Sequence, residues 1–274
     1  MTEAKKEMGS DINLTEARQF LIELVPQAGE MLRKRFISGD YTQRRKEGVD
    51  FTTQADEEVD KFLRERIAAR FPQTQFLTEE TAPEDYSSLK DVDGLWVIDP
   101  LDGTINFSRM HPNFAISIGV VDKGVPKLGV AYVPMTGDIY WAQEDQEHAF
   151  LNGEPIQVSA IDDLGVSTIA CDWAWGLEKR LNVVRWLGNL STHVRQIKSM
   201  GSAVSDLASL ANGRIDGYIH SGLKPWDVAA SALLIEKAGG RITTPGGGDW
   251  DVFQPDILAS NGILHESILK LINP

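Results

Sequence analysis

The stretch Leu95-Trp96-Val97-Ile98-Asp99-Pro100-Leu101-Asp102-Gly103-Thr104 constrains this chain more than any other. Its first residues, 95–98, form an unbroken apolar run that reads as a short buried strand. Asp99 is expected to end that strand, because Pro100 has no backbone N–H to give to a ladder. Asp102-Gly103 then supplies a turn, with the Thr104 hydroxyl just beyond it. Two carboxylates, a glycine backbone and a hydroxyl are thus delivered to one small volume, a plausible place for a divalent cation and a phosphate. Asp-Pro and Asp-Gly are also common turn punctuation, so this stretch taken alone leaves a plain strand-ending turn open.

Charge and cysteine content narrow the chemistry. The net charge is -13 over 274 residues, so no overall field would hold nucleic acid or an anionic membrane. An anionic substrate would need a local positive centre, and bound metal is one way to supply it. The single cysteine, Cys171, permits no internal disulfide and excludes a thiolate metal cluster; it reads as a small buried residue. No stretch has the uninterrupted apolar length of a membrane span, and the polar N-terminus lacks the apolar core of a signal peptide. The expectation is a cytoplasmic protein, long enough for one large domain or two modest ones.

Periodicity gives the remaining elements. Asn13 with Glu16 opens a helix whose apolar face includes Ala17, Leu21, Leu24, Ala28 and Leu32, with a kink expected at Pro26. A second helix follows Thr53, and Asp56 near its start reads first as a cap or dipole partner. Residues 75–77 form a short strand leading to Glu79-Glu80. Strand-like runs at 114–121, 128–133 and 139–142 precede a hairpin turned at Asn152-Gly153. Beyond it, helices are expected at 178–190, after 199–202, from Pro225 to Gly239, and from His265, with strands between them. The glycine-rich loop 245–248 lacks the G-K-[ST] ending of a P-loop. Residues 1–160 read as an α+β half with an antiparallel sheet, and residues 161–274 as an α/β half.

Three separated features act together: Glu79-Glu80 after a strand, Asp99-x-x-Asp102-Gly103-Thr104 after another, and Trp226-Asp227 opening a helix that ends in Glu236-x-Ala238-Gly239-Gly240. In order and spacing they resemble the inositol monophosphatase family, within the lithium-sensitive, magnesium-dependent phosphatase superfamily, from about residue 50 to the C-terminus. The resemblance implies a layered αβαβα sandwich of the inositol monophosphatase and fructose-1,6-bisphosphatase type. It implies that Glu79, Asp99 and the Leu101 carbonyl bind one Mg²⁺, that Asp99, Asp102 and Asp227 bind a second, and that a weaker third ion lies near Glu79. It also implies that the Gly103 and Thr104 amides hold phosphate oxygens. Thr104, paired with Asp56 and helped by Glu79, would orient and deprotonate the attacking water. Gly201, Ser202, Ala203 and His220 fall where the family contacts substrate, and a homodimer is common in it.

The physics is compatible with these roles. Two carboxylates about 4 Å apart repel by roughly 4 kcal/mol at an effective dielectric near 20, so such a cluster asks for cations. Oxygen-only ligands favour magnesium over zinc. The resemblance implies a phosphate monoester of a sugar or polyol as substrate, with inositol phosphate first. Inositol phosphatases usually carry a glutamate seven positions before the Trp-Asp aspartate, and this chain has His220 there. Sister families with the same metal core cleave histidinol phosphate, fructose 1,6-bisphosphate or 3′-phosphoadenosine nucleotides, which are the alternatives, with histidinol phosphate leading because of that departure. Asp172, Lys179 and Arg180 are candidate specificity residues. Trp173 and Trp175 either wall the pocket mouth or pack in a core or an interface. A catalytically idle binding protein on the same fold would be expected to have a broken ligand set, whereas every carboxylate and Thr104 is present here.

Overall fold

The apolar run of the opening stretch forms a strand buried on both faces, second from one edge of its sheet. The structure is a computed structural model, and it describes residues 12–39, 42–45, 51–173 and 176–274. The expectation for Trp175 lies outside them, as does part of the charged loop after the first helix. Helix α1 (Leu14–Ser38) starts where the Asn13 side chain accepts the Glu16 amide at 3.1 Å, and it runs unbroken through Pro26. Strands β1 (Gln43–Arg45) and β2 (Phe51–Thr53) pair antiparallel, and β2 leads straight into α2 (Gln54–Arg70). A seven-stranded sheet follows in chain order: β3 (Gln75–Thr78), β4 (Leu95–Asp102), β5 (Ala115–Asp122), β6 (Val125–Val133), β7 (Asp138–Gln143), β8 (Ala149–Leu151) and β9 (Glu154–Ile156). Only β3 and β4 are parallel; the other pairs are antiparallel. The β8–β9 hairpin turns at Asn152-Gly153, both at positive φ, as an Asn-Gly turn should. A short helix, α3 (Thr104–Ser108), joins β4 to β5.

The second sheet contains β10 (Thr168–Cys171), β11 (Gln196–Lys198), β12 (Gly217–Ser221), β13 (Arg241–Thr243) and β14 (Asp256–Ser260), in the order β11-β10-β12-β14-β13. Its helices are α4 (Leu177–Leu190), α5 (Ala203–Ala211), α6 (Pro225–Lys237) and α7 (His265–Ile272).

Period-two alternation sets the layers. On β4, Trp96 and Ile98 pack with Leu21 and Leu24 of α1 and with Leu63 and Ile67 of α2. Leu95 and Val97 face the other way, into a core with Leu207 of α5, Leu233 and Leu234 of α6, and Tyr218 and Ile257 of the second sheet. The far face of that sheet buries Ile169, Ile219 and Leu258 against Val183 and Leu190 of α4 and Ile268 of α7. The layers therefore run α1/α2, sheet, α5/α6, sheet, α4/α7. That is the αβαβα sandwich the motifs implied.

One local expectation is corrected. β4 does not stop at Asp99 but continues to Asp102. Asp99 pairs with Ser117 and Asp102 with Ala115, so β4 advances by 102 − 99 = 3 residues while β5 advances by 117 − 115 = 2. The extra residue is a β-bulge, a position where proline's missing donor is tolerated. The bulge has a second effect. Residues three apart on a regular strand point to opposite faces; one inserted residue returns Asp102 to the face of Asp99.

Helix α6 is seated unusually close to this sheet. Gly119 and Gly129 pair across β5 and β6. A Cβ on Gly129 would stand 2.4 Å from the Ala230 carbonyl oxygen, and one on Gly119 2.9 Å from the Ala229 Cβ. Ser117 Oγ, across the ladder from Asp99, donates to the Trp226 carbonyl at 3.1 Å. These contacts set the start of α6, and with it Asp227, beside the end of β4. Gly129→Ala should push α6 off the sheet at a cost of about 1–3 kcal/mol, lowering Tm by several degrees in a thermal melt. An unchanged Tm would show that α6 is not held by this contact.

Candidate active site

Asp99, Asp102 and Asp227 each bring one carboxylate oxygen within 4.8 Å of the others. Each is held by a backbone amide. Asp99 Oδ1 accepts from Leu101 N at 3.0 Å, Asp102 Oδ2 from Val204 N at 2.8 Å, and Asp227 Oδ2 from Lys224 N at 2.7 Å. The Ser202 hydroxyl also donates to Asp102. Glu79 follows β3, and its amide donates to the Ile98 carbonyl at 3.1 Å, which sets it beside the end of β4. All four acids and Leu101 line one cleft of about 690 Å³.

The donor set fits a hard divalent cation. It is all oxygen, and the buried Asp99 Oδ2 has no hydrogen-bond partner, an orphan that a cation would satisfy. Burial, then the charges of Glu79, Asp102 and Asp227, hold the Asp99 carboxyl well above the usual range. Burial and Asp102 do the same to Asp227. Burial pushes Asp102 up to about 7.

Asp56, third residue of α2, is engaged on two sides. Its Oδ2 accepts from Thr53 N at 3.0 Å and from the Thr53 hydroxyl, closing a capping box on α2. Its Oδ1 accepts from Thr104 Oγ1 at 3.2 Å, and the Leu101 carbonyl offers that hydroxyl a second acceptor at 3.1 Å. Burial, then Glu80 and Glu79, raises Asp56 to about 7. Gly103 precedes Thr104 at φ +92, and a Cβ there would stand 3.0 Å from the Asn113 carbonyl oxygen. The first-turn amides of α3 have no intrahelical acceptors and are available to an anion.

The loop before α5 closes over this turn. Asn106 Nδ2 and Asn113 Nδ2 both donate to the Met200 carbonyl, at 2.7 and 2.9 Å. Gly201 and Ala203 line the cleft, and Ser202 caps α5 by accepting the Ser205 amide. His220 on β12 is buried and lines the same cleft, with its Nδ1 unpartnered. Burial and nearby Lys179 push its pKa down to about 4, so the ring is neutral. Trp173 stands 56% exposed at the cleft wall rather than in a core. The structure thus gathers Glu79, Asp99, Leu101, Asp102, Gly103, Thr104, Gly201, Ala203, His220 and Asp227 around one cleft, with Asp56 and Ser202 hydrogen-bonded to its wall.

Comparison with known proteins agrees with this geometry. The sequence profile of the inositol monophosphatase family matches residues 13–274. The chain belongs to the inositol monophosphatase family. It is 32% identical over 262 residues to an inositol-1-monophosphatase of Bacillus subtilis, covering 94% of this chain and 97% of that one. It is 31% identical over 254 residues to a fructose-1,6-bisphosphatase/inositol-1-monophosphatase of Thermotoga maritima, with 93% and 94% covered. Among solved structures, the extragenic suppressor protein SuhB of Bartonella henselae superposes with a TM-score of 0.85 at 29% identity, covering 94% and 98%.

Within this inositol monophosphatase fold, one acidic residue escaped the sequence reading. Asp206 on α5 is fully buried, and it shares a carboxyl–carboxyl contact with Asp172. Neither Asp206 oxygen nor Asp172 Oδ2 has a hydrogen-bond partner, and a proton on one of the two acids would satisfy both. Burial and the neighbouring Asp172 raise Asp206 to about 9, which makes it the protonated member. Asp172 Oδ1 in turn accepts from Ser199 Oγ and Gly201 N, each at 2.9 Å, and so fixes the loop over the Gly103 turn. A sequence signal existed: Asp206 interrupts the apolar helical pattern of Ala203-Val204-Ser205-Asp206-Leu207-Ala208.

Two outcomes follow from these carboxyls. Their folded-state pKa values are raised, so the native protein keeps protons that the unfolded chain releases near pH 4. Stability of the metal-free protein should therefore fall as pH rises from about 4 toward 7. Calorimetry in chelator should show a lower Tm at pH 8 than at pH 5, with added Mg²⁺ restoring it at pH 8; a Tm that is flat or rising in chelator would overturn the assignment. Asp206→Asn can donate to Asp172 without a proton and should keep KM for a phosphate monoester close to that of the unmodified protein. Asp206→Leu, which cannot, should raise KM roughly tenfold, with the smaller change in kcat.

Proposed function

We propose that the protein is a Mg²⁺-dependent phosphate monoester hydrolase acting on a small sugar or polyol phosphate. The observation that carries this reading is the convergence of Asp99, Asp102 and Asp227 beside the Thr104–Asp56 hydrogen bond. Two to three magnesium ions, held by Glu79, Asp99, the Leu101 carbonyl, Asp102 and Asp227, would neutralise the phosphate charge and acidify water.

The chain's own groups then have distinct tasks. The amides of Gly103 and Thr104 hold phosphate oxygens at the start of α3. Thr104 Oγ1 positions the attacking water, helped by Glu79. The proton leaves through the Thr104 hydroxyl to Asp56 Oδ1, a carboxylate whose raised pKa of about 7 suits it to accept at neutral pH. The water oxygen forms its bond to phosphorus as the ester oxygen departs on the opposite side, and the leaving alkoxide takes a proton from solvent. No side chain becomes phosphorylated. Gly201, Ser202, Ala203 and His220 face the leaving alcohol. Positioning and charge neutralisation do most of the work in phosphoryl transfer, and this fold supplies both.

The same reading takes the enzyme as cytoplasmic and homodimeric. No described helix is long and apolar enough to cross a membrane. Asp99→Asn or Asp227→Asn should lower phosphate release from a monoester panel at least about a hundredfold with Mg²⁺ present. Hydrolysis at the unmodified rate in either variant would refute the metal assignment.

A further inference from the structure

Strands β3 and β4 are parallel, so residues 79–94 must carry the chain from the cleft end of one strand back to the far end of the other. That connection holds only a single 3₁₀ turn, Ser87–Asp91. Irregular connections longer than about 12–15 residues are uncommon in compact folds, and those that occur usually have a task. This one opens on Glu79 and is packed down along its length. Ala82, Tyr86, Leu89 and Val92 all meet the core that contains Trp226 and Leu233. It forms a strap across that core rather than a solvated loop.

Tyr86 is the middle of the strap. Its ring packs on Trp226 with centroids 5.8 Å apart at 60°, and on Phe253 at 6.4 Å and 45°. Tilted aromatic pairs at such distances attract beyond the area they bury. Further along, Lys90 Nζ meets Asp251 Oδ2 at 2.8 Å, so the strap is fastened twice to the segment before β14. Trp226 lines the cleft and stands beside Asp227 in the first turn of α6. Burial, then the charge of Asp227, holds the Tyr86 hydroxyl above its usual range, so the phenol lies within electrostatic reach of that carboxylate. Glu79 and Asp227 repel each other, and the Tyr86–Trp226 contact joins the two segments that carry them.

We propose that Tyr86 is a positioning residue for the metal centre: wedged between Trp226 and Phe253, its ring ties the strap that begins at Glu79 to the start of α6 and so fixes the separation of Glu79 and Asp227. This rests on the metal-dependent phosphatase reading above and adds a residue that touches neither substrate nor reacting atoms. A cation that must first order its ligands loses affinity to that ordering, whereas ligands already held in place bind it more tightly. The ring carries the effect, not the hydroxyl.

Calorimetric titration of Mg²⁺ into the metal-free protein tests this without turnover. Tyr86→Ala should raise the Mg²⁺ Kd about tenfold, the lower end of what a metal site loses with a group that orients its ligands. Tyr86→Phe, which keeps the ring, should stay within about twofold of the unmodified protein. At saturating Mg²⁺, Tyr86→Ala should recover most of its kcat, whereas a general loosening of the fold would lower kcat at every Mg²⁺ concentration. Lys90→Gln releases the second fastening at a half-exposed position and should raise the Kd about twofold, although loss of a positive charge alone would lower it. A Kd unchanged in Tyr86→Ala, or raised as much in Tyr86→Phe as in Tyr86→Ala, overturns the assignment. Should Tyr86→Ala not fold, an unchanged or lower Kd in Lys90→Gln overturns it. No Mg²⁺ uptake by the unmodified protein would instead overturn the metal reading itself, and the role of Tyr86 with it.

Discussion

Carboxylates as close as Asp99, Asp102 and Asp227 repel one another, so the fold must hold them together before any cation can exploit them. Each is gripped by a backbone amide, and each comes from a different part of the scaffold: the inside of β4, the end of β4 beyond a bulge, and the first turn of α6. The bulge at Pro100 turns two acids three residues apart toward one face. The Gly119–Gly129 pair lets α6 sit down on that face. The apolar burial around β4 and α6 stabilises an arrangement that the charges alone would disperse.

Several polar groups serve two structures at once. Asp56 closes the capping box of α2 and accepts the Thr104 hydroxyl. Ser202 caps α5 and donates to Asp102. Ser117 pairs with Asp99 in the ladder and anchors the start of α6. In each case the residue that begins or fixes an element also orients a group in the cleft. Damage to the helix start and damage to the site are therefore hard to separate by mutation. The Asp172–Asp206 pair differs, since it begins no element and instead holds the loop at 199–202 through Ser199 and Gly201.

The motifs carried much of the site. Glu79, the Asp99–Thr104 turn and Asp227 became candidates through their joint resemblance to the inositol monophosphatase family, since the turn taken alone could be a plain strand end. Asp56 read locally as a cap near a helix start, and its pairing with Thr104 came only from the resemblance, because that bond spans 48 positions and leaves no local trace. Asp206 was missed because a buried acid inside an apolar helix looks like an irregular surface position. Its partner is on another element, and a shared proton has no sequence signature. Pro100 was misjudged because a proline after a buried run is normally a strand end; only the cross-strand register shows that β4 passes through it.

By itself the sequence determined the chemistry of the parts: oxygen ligands rather than thiolates, an acidic chain that must meet an anion through a cation, and apolar periods long enough to build the layers. These follow from residue types and from spacings of a few positions. The tertiary structure decided what meets what. Side-chain direction at Asp102 depends on one inserted residue, and the seat of Asp227 depends on two glycines more than ninety residues away. Whether Asp56 serves the helix or the cleft depends on a contact between elements. Such facts arise from long-range packing, which no window along the chain contains.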